Sequence, residues 1–420
     1  MQNRRFTHLR QATGLAVALL LALSYGSPAQ RTLRQLPDKL VLTQGQLQTL
    51  ELGAPLRLSL RSGDVAVAAS DDETLGDVTL SSETAGTSEL LLSLMGVLPL
   101  RRVEVEVQPE RRLIPGGQAI GVALRTEGVM LVGAGDLNDG MSPATLSGLK
   151  AGDVILRVEG ESIRTSRQLS EIIERAGERP LSVDFRRGGE SLHTTLTPRM
   201  DEAAGVVRMG AWVRDSTAGV GTVSFYDPAT GAYAALGHAI SDGDTGAVLP
   251  VGEGKILEAD IVAVQKGQRG APGELKGSFL RDPQVLGDIR RNTVLGLYGH
   301  MDAPPAQSLY PDGLPIGLRS GVHTGPASIL STVGVGGLTE YAVEITRVNP
   351  QDAPAPKSMV IRVTDPRLLD ATGGIVQGMS GSPILQDGRI IGAVTHVFVA
   401  DPQQGYGLYI DWMLQEANTL

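Results

Sequence analysis

Short alternations of apolar and polar residues, broken every few positions by Gly, Asp or Ser, restrict most of this chain to β-structure. Between residues 38 and 107 they read Leu40-Val41-Leu42, Leu56-Arg57-Leu58-Ser59-Leu60, Val65-Ala66-Val67, Leu90-Leu91-Leu92 and Val103-Glu104-Val105-Glu106-Val107. A period of two puts alternate side chains on one face of a strand, and this spacing predicts a small antiparallel β-domain over residues 30–112. It carries no chemistry and reads as a spacer or docking domain. Residues 206–420 are rich in Val, Ile, Gly and Thr, with little helical patterning before Trp412 to Asn418. At 420 residues the chain is too long for one core; about 100–200 residues per domain implies two to four. The expected class is therefore a mostly β, multi-domain protein.

The N-terminus and the charge balance narrow the setting. Arg4, Arg5, His8 and Arg10 precede an apolar run from Leu15 to Leu23, followed by Ser27-Pro28-Ala29. Basic head, apolar core and small residues are the order of an export signal. The run is shorter than the ~20 residues that span a bilayer. Residues 1–29 are thus expected to be a signal peptide or a short membrane anchor, and the protein extracytoplasmic, secreted or membrane-anchored. A net charge of −9 leaves no basic surface for a nucleic-acid partner. The absence of cysteine rules out disulfides, thiol catalysis and Cys-based zinc sites.

A second unit runs from Ile114-Pro115-Gly116-Gly117. It holds Gly148-Leu149-Lys150-Ala151-Gly152-Asp153 before a strand to Val158, and a helix over Ser166 to Ala176 with Leu169, Ile172 and Ile173 on one face. A hairpin about Arg187-Gly188-Gly189-Glu190 follows. This order resembles a PDZ domain of the bacterial periplasmic-protease type, expected over residues 113–198. The resemblance implies capture of a peptide C-terminus by backbone N–H groups of a glycine-containing loop, which the pattern assigns to Ile120, Gly121 and Val122. Arg199 to Gly205 reads as a linker, leaving 206–420 for a further domain.

The chemistry concentrates in Gly378-Met379-Ser380-Gly381-Ser382-Pro383. A nucleophilic serine needs a tight turn that exposes its hydroxyl and aims two backbone N–H groups at the developing oxyanion. Glycines at 378 and 381 permit that turn, and Ile384-Leu385, Asp387-Gly388 and Ile390 to Val394 continue as a hairpin. The pattern resembles the nucleophile turn of chymotrypsin-like peptidases, with the N–H groups of Gly378 and Ser380 as the oxyanion hole. Upstream, Leu236-Gly237-His238-Ala239 places a histidine after a strand-like stretch, where such enzymes carry their base. Asp242 and Asp244 lie near His238 in sequence and read as shaping its turn, and Asp370 is a candidate acid near the serine.

Three stretches together are similar to the SpoIVB sporulation serine peptidases: Gly237 to Gly246, Thr372 to Pro383, and Gly392 to Val399. The resemblance implies a triad of His238, Asp365 and Ser380 on a two-barrel β peptidase domain. It also implies self-cleavage, and cleavage of a membrane-bound regulator of pro-sigma-factor processing in the space around a developing spore. Protein or peptide substrates are the expected partners. Met379 replaces the aspartate that precedes the serine in trypsin-type enzymes, so activation by a freed N-terminus is not expected. Thr395 and His396, after the hairpin, are candidates for the substrate pocket. No His-Glu-x-x-His or phosphate-cradling loop occurs, and no cofactor or metal is expected. The alternative is a non-catalytic PDZ adaptor that binds membrane-protein tails.

Overall fold

The computed structural model describes residues 36–420 except 46, 53–54, 70–76, 138–139 and 279–282. The segment expected to be a signal peptide or short anchor, 1–29, lies outside them. The chain divides into two compact units, 1–111 and 112–420. In the first, strands Lys39–Thr43, Leu98–Gln108, Gly86–Leu94 and Leu56–Ser62 lie side by side in that order. Leu40, Leu42, Leu90, Leu92, Val103 and Val105 fill its core. One pairing departs from the expected antiparallel plan, because Lys39–Thr43 runs parallel to Leu98–Gln108.

In the second unit, strand β1 (Ala119–Ala134) is followed by helix α1 (Pro143–Leu146), β2 (Val154–Val158), helix α2 (Ser166–Ala176), β3 (Leu181–Arg187) and β4 (Glu190–Leu196). Thr165 caps α2 by accepting from the N–H of Gln168, and Leu169, Ile172 and Ile173 are buried on one side of the helix. They pack with Val129, Leu131, Ile155, Val183, Phe185 and Met209 into one apolar core. Asp153, buried, accepts from the Lys150 N–H at 2.8 Å and from Arg187 at 2.6–2.7 Å, which fixes the turn before β2. Arg199 to Gly205 is no linker: Arg199–Asp201 pairs with Val206–Arg208 as a hairpin.

The chain then enters β5 (Ala211–Tyr226), β6 (Ala232–Ala235), β7 (Val251–Glu258), β8 (Asp260–Gln265), β9 (Glu274–Ser278) and β10 (Gly296–His300). β5 pairs with β1 from Ala211–Ala134 to Thr222–Ala119. Two cores therefore hang on one pair of long strands. Their later β1 residues belong to the PDZ-like module, while Ile120, Val122 and Leu124 join Val223, Tyr233, Leu249, Ile256 and Leu297 in the core of another lobe. The expected boundary at 113 is corrected accordingly. Residues 112–126 are built into this lobe, and the PDZ-like module is inserted between the two halves of its sheet.

The remaining strands are β11 (Gly325–Thr332), β12 (Leu338–Val348), β13 (Met359–Val363), β14 (Pro383–Gln386), β15 (Arg389–Phe398) and β16 (Asp401–Tyr409), with helices α3 (Pro366–Thr372) and α4 (Ile410–Ala417). The six strands close as a barrel in the order β11-β12-β13-β16-β15-β14. The mostly β class holds. Of the two expected barrels the second closes by strand pairing throughout; in the first, β1, β5, β6 and β10 return to β1 through Val285–Asp288 and β7, joined by the Gly287–Met301 bridge, and the sheet is shared with the inserted module.

Candidate active site

β6 is four buried residues, Ala-Tyr-Ala-Ala, and the chain leaves it by an abrupt turn: Leu236 and Gly237 both have positive φ, 67° and 66°. A side chain at Gly237 would press on Thr395, whose Cγ2 lies 2.9 Å from the site of a Cβ. The turn delivers His238, half-buried, to the mouth of a cavity of about 650 Å³. His238 Nδ1 lies 2.9 Å from the carbonyl of its neighbour Ala239. Burial lowers the imidazole pKa below its ordinary 6.5, and the Ala239 carbonyl works in the opposite direction.

Ser380 faces the same cavity from the closed barrel, between Gly378 (φ 96°) and Gly381 (φ 99°). Both glycines sit in the left-handed half of φ space that other residues avoid. At Gly381 a Cβ would in addition collide with the carbonyl of Thr222. Ser380 Oγ donates to the Thr395 carbonyl at 2.8 Å, and makes no hydrogen bond to His238 in this rotamer. Ser382 points away: it is fully buried, and its N–H donates to the Met379 carbonyl at 3.0 Å.

The peptide groups around Ser380 are held from outside the cavity. Gln377 O accepts from Leu275 N at 2.8 Å, and Met379 N donates to Val376 O at 3.1 Å. Thr222, on β5 and buried, clamps the turn at two points. Its N–H donates to Ser380 O at 3.1 Å and its Oγ1 to Gly378 O at 2.7 Å. Among the described residues, the N–H groups of Gly378 and Ser380 find no acceptor. Thr222 went unnoticed in the sequence, where a threonine in an apolar strand carries no signal. The Ala239 carbonyl was equally hidden.

The structure does not bring Asp365 to His238. Asp365 precedes a proline at the start of α3 and serves as its N-cap. Its buried carboxylate accepts from Arg367 N at 2.9 Å, from the Arg367 guanidinium at 2.7 and 3.1 Å, and from Ala342 N at 3.2 Å. These bonds, the guanidinium first among them, hold its pKa down to about 2. Asp242 shapes the turn after His238, accepting from Thr245 N at 2.9 Å and Asp244 N at 3.1 Å and pairing with Arg214. Asp370 is exposed. No carboxylate among the described residues hydrogen-bonds His238.

Thr395 and His396 both line the cavity. The Thr395 side chain is buried and bonded to the Pro356 and Tyr406 carbonyls at 3.2 and 3.3 Å, which leaves its own carbonyl as its polar contribution. The ring of His396 lies 5.1 Å from that of His238. Burial, then the neighbouring His238 and Lys357, push its pKa down to about 4, so it is neutral near pH 7.

The assignment of the peptide loop to Ile120, Gly121 and Val122 is overturned. These residues pair with β5 on one side (Ile120–Gly221, Gly121–Val220, Val122–Gly219) and with β7 on the other (Ile120–Glu258, Gly121–Leu257, Val122–Ile256). A strand bonded along both edges has no N–H group left for a carboxylate. The groove beside α2 lies elsewhere, about 530 Å³ between Leu169, Ser170, Ile173 and Glu174 of the helix and residues 206–213. Gly210, at φ 65°, makes its bend.

Comparison with known proteins matches two families to the chain. The model of the family described as SpoIVB peptidase S55 matches residues 205–414, half of the chain, and a PDZ-domain model matches 141–187. Metalloprotease MmpA of Caulobacter vibrioides is 32% identical over 73 residues, 16% of this chain and 18% of that protein. The chain spans under a fifth of the length of the curated relatives it matches. Among solved structures, the PDZ domain of the SdrC-like protein of Listeria monocytogenes is 18% identical, with a TM-score of 0.18, over 21% of this chain and 87% of that one. The active form of the Rv3671c protease of M. tuberculosis is 15% identical, with a TM-score of 0.27, over 47% and 72%. By the family match, this chain belongs to the SpoIVB peptidase S55 family, a serine peptidase that carries a PDZ domain.

Proposed function

We propose that Ser380 is the nucleophile and His238 the base of this peptidase. The observation that carries the assignment is that the Ser380 hydroxyl, His238 and two unbonded N–H groups meet at one cavity. His238 Nδ1–H donates to the Ala239 carbonyl, which leaves Nε2 as the acceptor. After rotation about χ1, Ser380 Oγ gives its proton to Nε2 and attacks the substrate carbonyl. The N–H groups of Gly378 and Ser380 receive the oxyanion, and the imidazolium returns the proton to the leaving amine. Water, activated by the same imidazole, then releases the acyl group.

The natural substrate belongs to the same proposal. Likeness to the SpoIVB peptidases supports a membrane-bound regulator of pro-sigma-factor processing as the target, with self-cleavage, on the outer side of a membrane in a sporulating cell. Fluorophosphonate labelling tests the chemistry. Labelling and cleavage should vanish in Ser380→Ala and persist in Ser382→Ala; the reverse pattern refutes the assignment. A spore-forming host in which Ser380→Ala leaves regulator cleavage unchanged refutes the target.

A further inference from the structure

β5 connects the two grooves of this molecule. At its start, Ala211, Trp212 and Val213 line the groove beside α2; further on, Thr217 to Val220 line the cavity that holds Ser380. One edge of β5 is occupied by β1 from Ala211 to Thr222. The other pairs with β6 only from Val223 onward, so among the described residues no strand pairs with that edge between Ala211 and Thr222. This open edge ends at the nucleophile. Thr222 N donates to Ser380 O, and Thr222 O accepts from Leu236 N at 3.2 Å. By the alternation of an antiparallel ladder, Val220 and Ala218 turn their N–H and C=O groups to that same side, into the cavity.

We propose that this edge is a measuring track, on which a substrate lies as an added strand from the Ser380 cavity to a free C-terminus beside α2. The inference rests on the peptidase reading above and adds a rule for where cleavage falls. Direction follows from the geometry. A peptide held antiparallel to β5 with its C-terminus near Gly210 extends its N-terminal side toward Val220 and Ser380. The part beyond the scissile bond then occupies β5. Its length follows too: Ala211 and Val220 are about nine residues apart, roughly 30 Å at ~3.3 Å per residue of strand. The scissile bond is thus expected about nine to eleven residues before the substrate's C-terminus.

The ends of the track suit that occupant. Beside α2 the groove presents Leu169, Ile173, Val207, Met209 and Val213, which fits an apolar last side chain. The groove belongs to the domain family that captures C-termini with main-chain donors. Midway the track bends. Pairing with β1 jumps from Arg214–Met130 to Ser216–Arg125, and Asp215 ties the bend to the start of α2 by accepting from Ser166 N at 2.7 Å.

Photo-crosslinking to full-length Ser380→Ala protein tests this without turnover. The probes are Ala/Ser peptides with a free C-terminal valine, carrying benzoylphenylalanine at each position from two to fourteen residues upstream. Adducts on Thr217 to Val220 or Thr395 to Val397 should peak with the probe nine to eleven residues from the end. C-terminal amidation should cut them at least tenfold, and Ser170→Trp, which fills the groove from an exposed position, should abolish the peak. Cavity adducts that ignore distance or amidation overturn the proposal, as do adducts confined to the groove at every spacing or no adducts at all. Fluorophosphonate labelling of the wild-type enzyme reads the catalytic assignment separately, so each can fail alone.

Discussion

Replacing Thr222 by valine separates the geometry of the nucleophile turn from its chemistry. Thr222 makes no hydrogen bond to His238; it holds the turn through Gly378 O and Ser380 O. Valine keeps the shape and the backbone N–H and removes the 2.7 Å bond to Gly378 O. Losing one such bond costs about 1 kcal/mol of stability, and up to ~3 kcal/mol if the carbonyl is left buried without a partner. Deleting an oxyanion donor outright costs ~3–4 kcal/mol of transition-state stabilisation. Here both donors remain and one of several struts is lost, so about a third of that is expected, or roughly a tenfold fall in kcat. Hydrolysis of a small activated ester reports the chemical step without strand binding, and thermal unfolding reports the stability. The expected result is a lower kcat at unchanged KM, with Thr222→Ser restoring it. A destabilised Thr222→Val enzyme with wild-type kcat refutes the idea that Thr222 sets the oxyanion geometry.

Two further outcomes follow from the titrating groups. Because burial lowers the His238 pKa and the neutral imidazole is the base, activity falls as pH drops through that lowered value. The acid limb of kcat/KM for the same ester should lie below 6.5, and a limb at 7 or above contradicts the burial of this imidazole. Asp365 titrates near 2 when folded and near ~3.9 when unfolded, so its ionisation contributes about 2–3 kcal/mol that is present above the unfolded value and lost as pH falls toward 2. Asp365→Asn should accordingly be destabilised most above pH ~5, with the gap to wild type closing from pH ~4 downward. A pH-independent gap refutes the ion-pair role, and loss of fluorophosphonate labelling by several orders of magnitude places Asp365 with His238 in the working enzyme.

Local patterns were the legible part of the sequence. The helix over Ser166 to Ala176 was visible because Leu169, Ile172 and Ile173 share a face and Thr165 supplies a cap. The turn around Ser380 was visible because its glycines are dictated by backbone torsion. What failed were inferences about partners distant in the chain. Ile120-Gly121-Val122 has the composition of a peptide-capturing loop, yet its neighbours are Gly219 to Gly221 and Ile256 to Glu258, both supplied from far downstream in the chain. Arg199 to Gly205 is polar enough for a linker, but the pairing of Arg199–Asp201 with Val206–Arg208 decides otherwise. Asp365 precedes a proline and sits two residues before an arginine, and those two local facts settle its bonds more directly than its distance from Ser380 does.

The insertion of one module between β1 and β5 also bears on how the chain is made. During synthesis Ala119 to Arg125 emerge well before Ser216 to Thr222, their partners. Bringing such distant segments together costs loop entropy that grows with the length of the intervening chain. The inserted module has its own core, so it can fold while the ribosome is still at work and close that loop in advance. It would then hold the two half-strands in register until the rest of the lobe arrives. On this view a peptidase stripped of residues 135–210 should express but refold slowly and aggregate, because the half-strand at 119–126 waits exposed for its partner. A module attached at one end as a separate bead could be lost without that penalty.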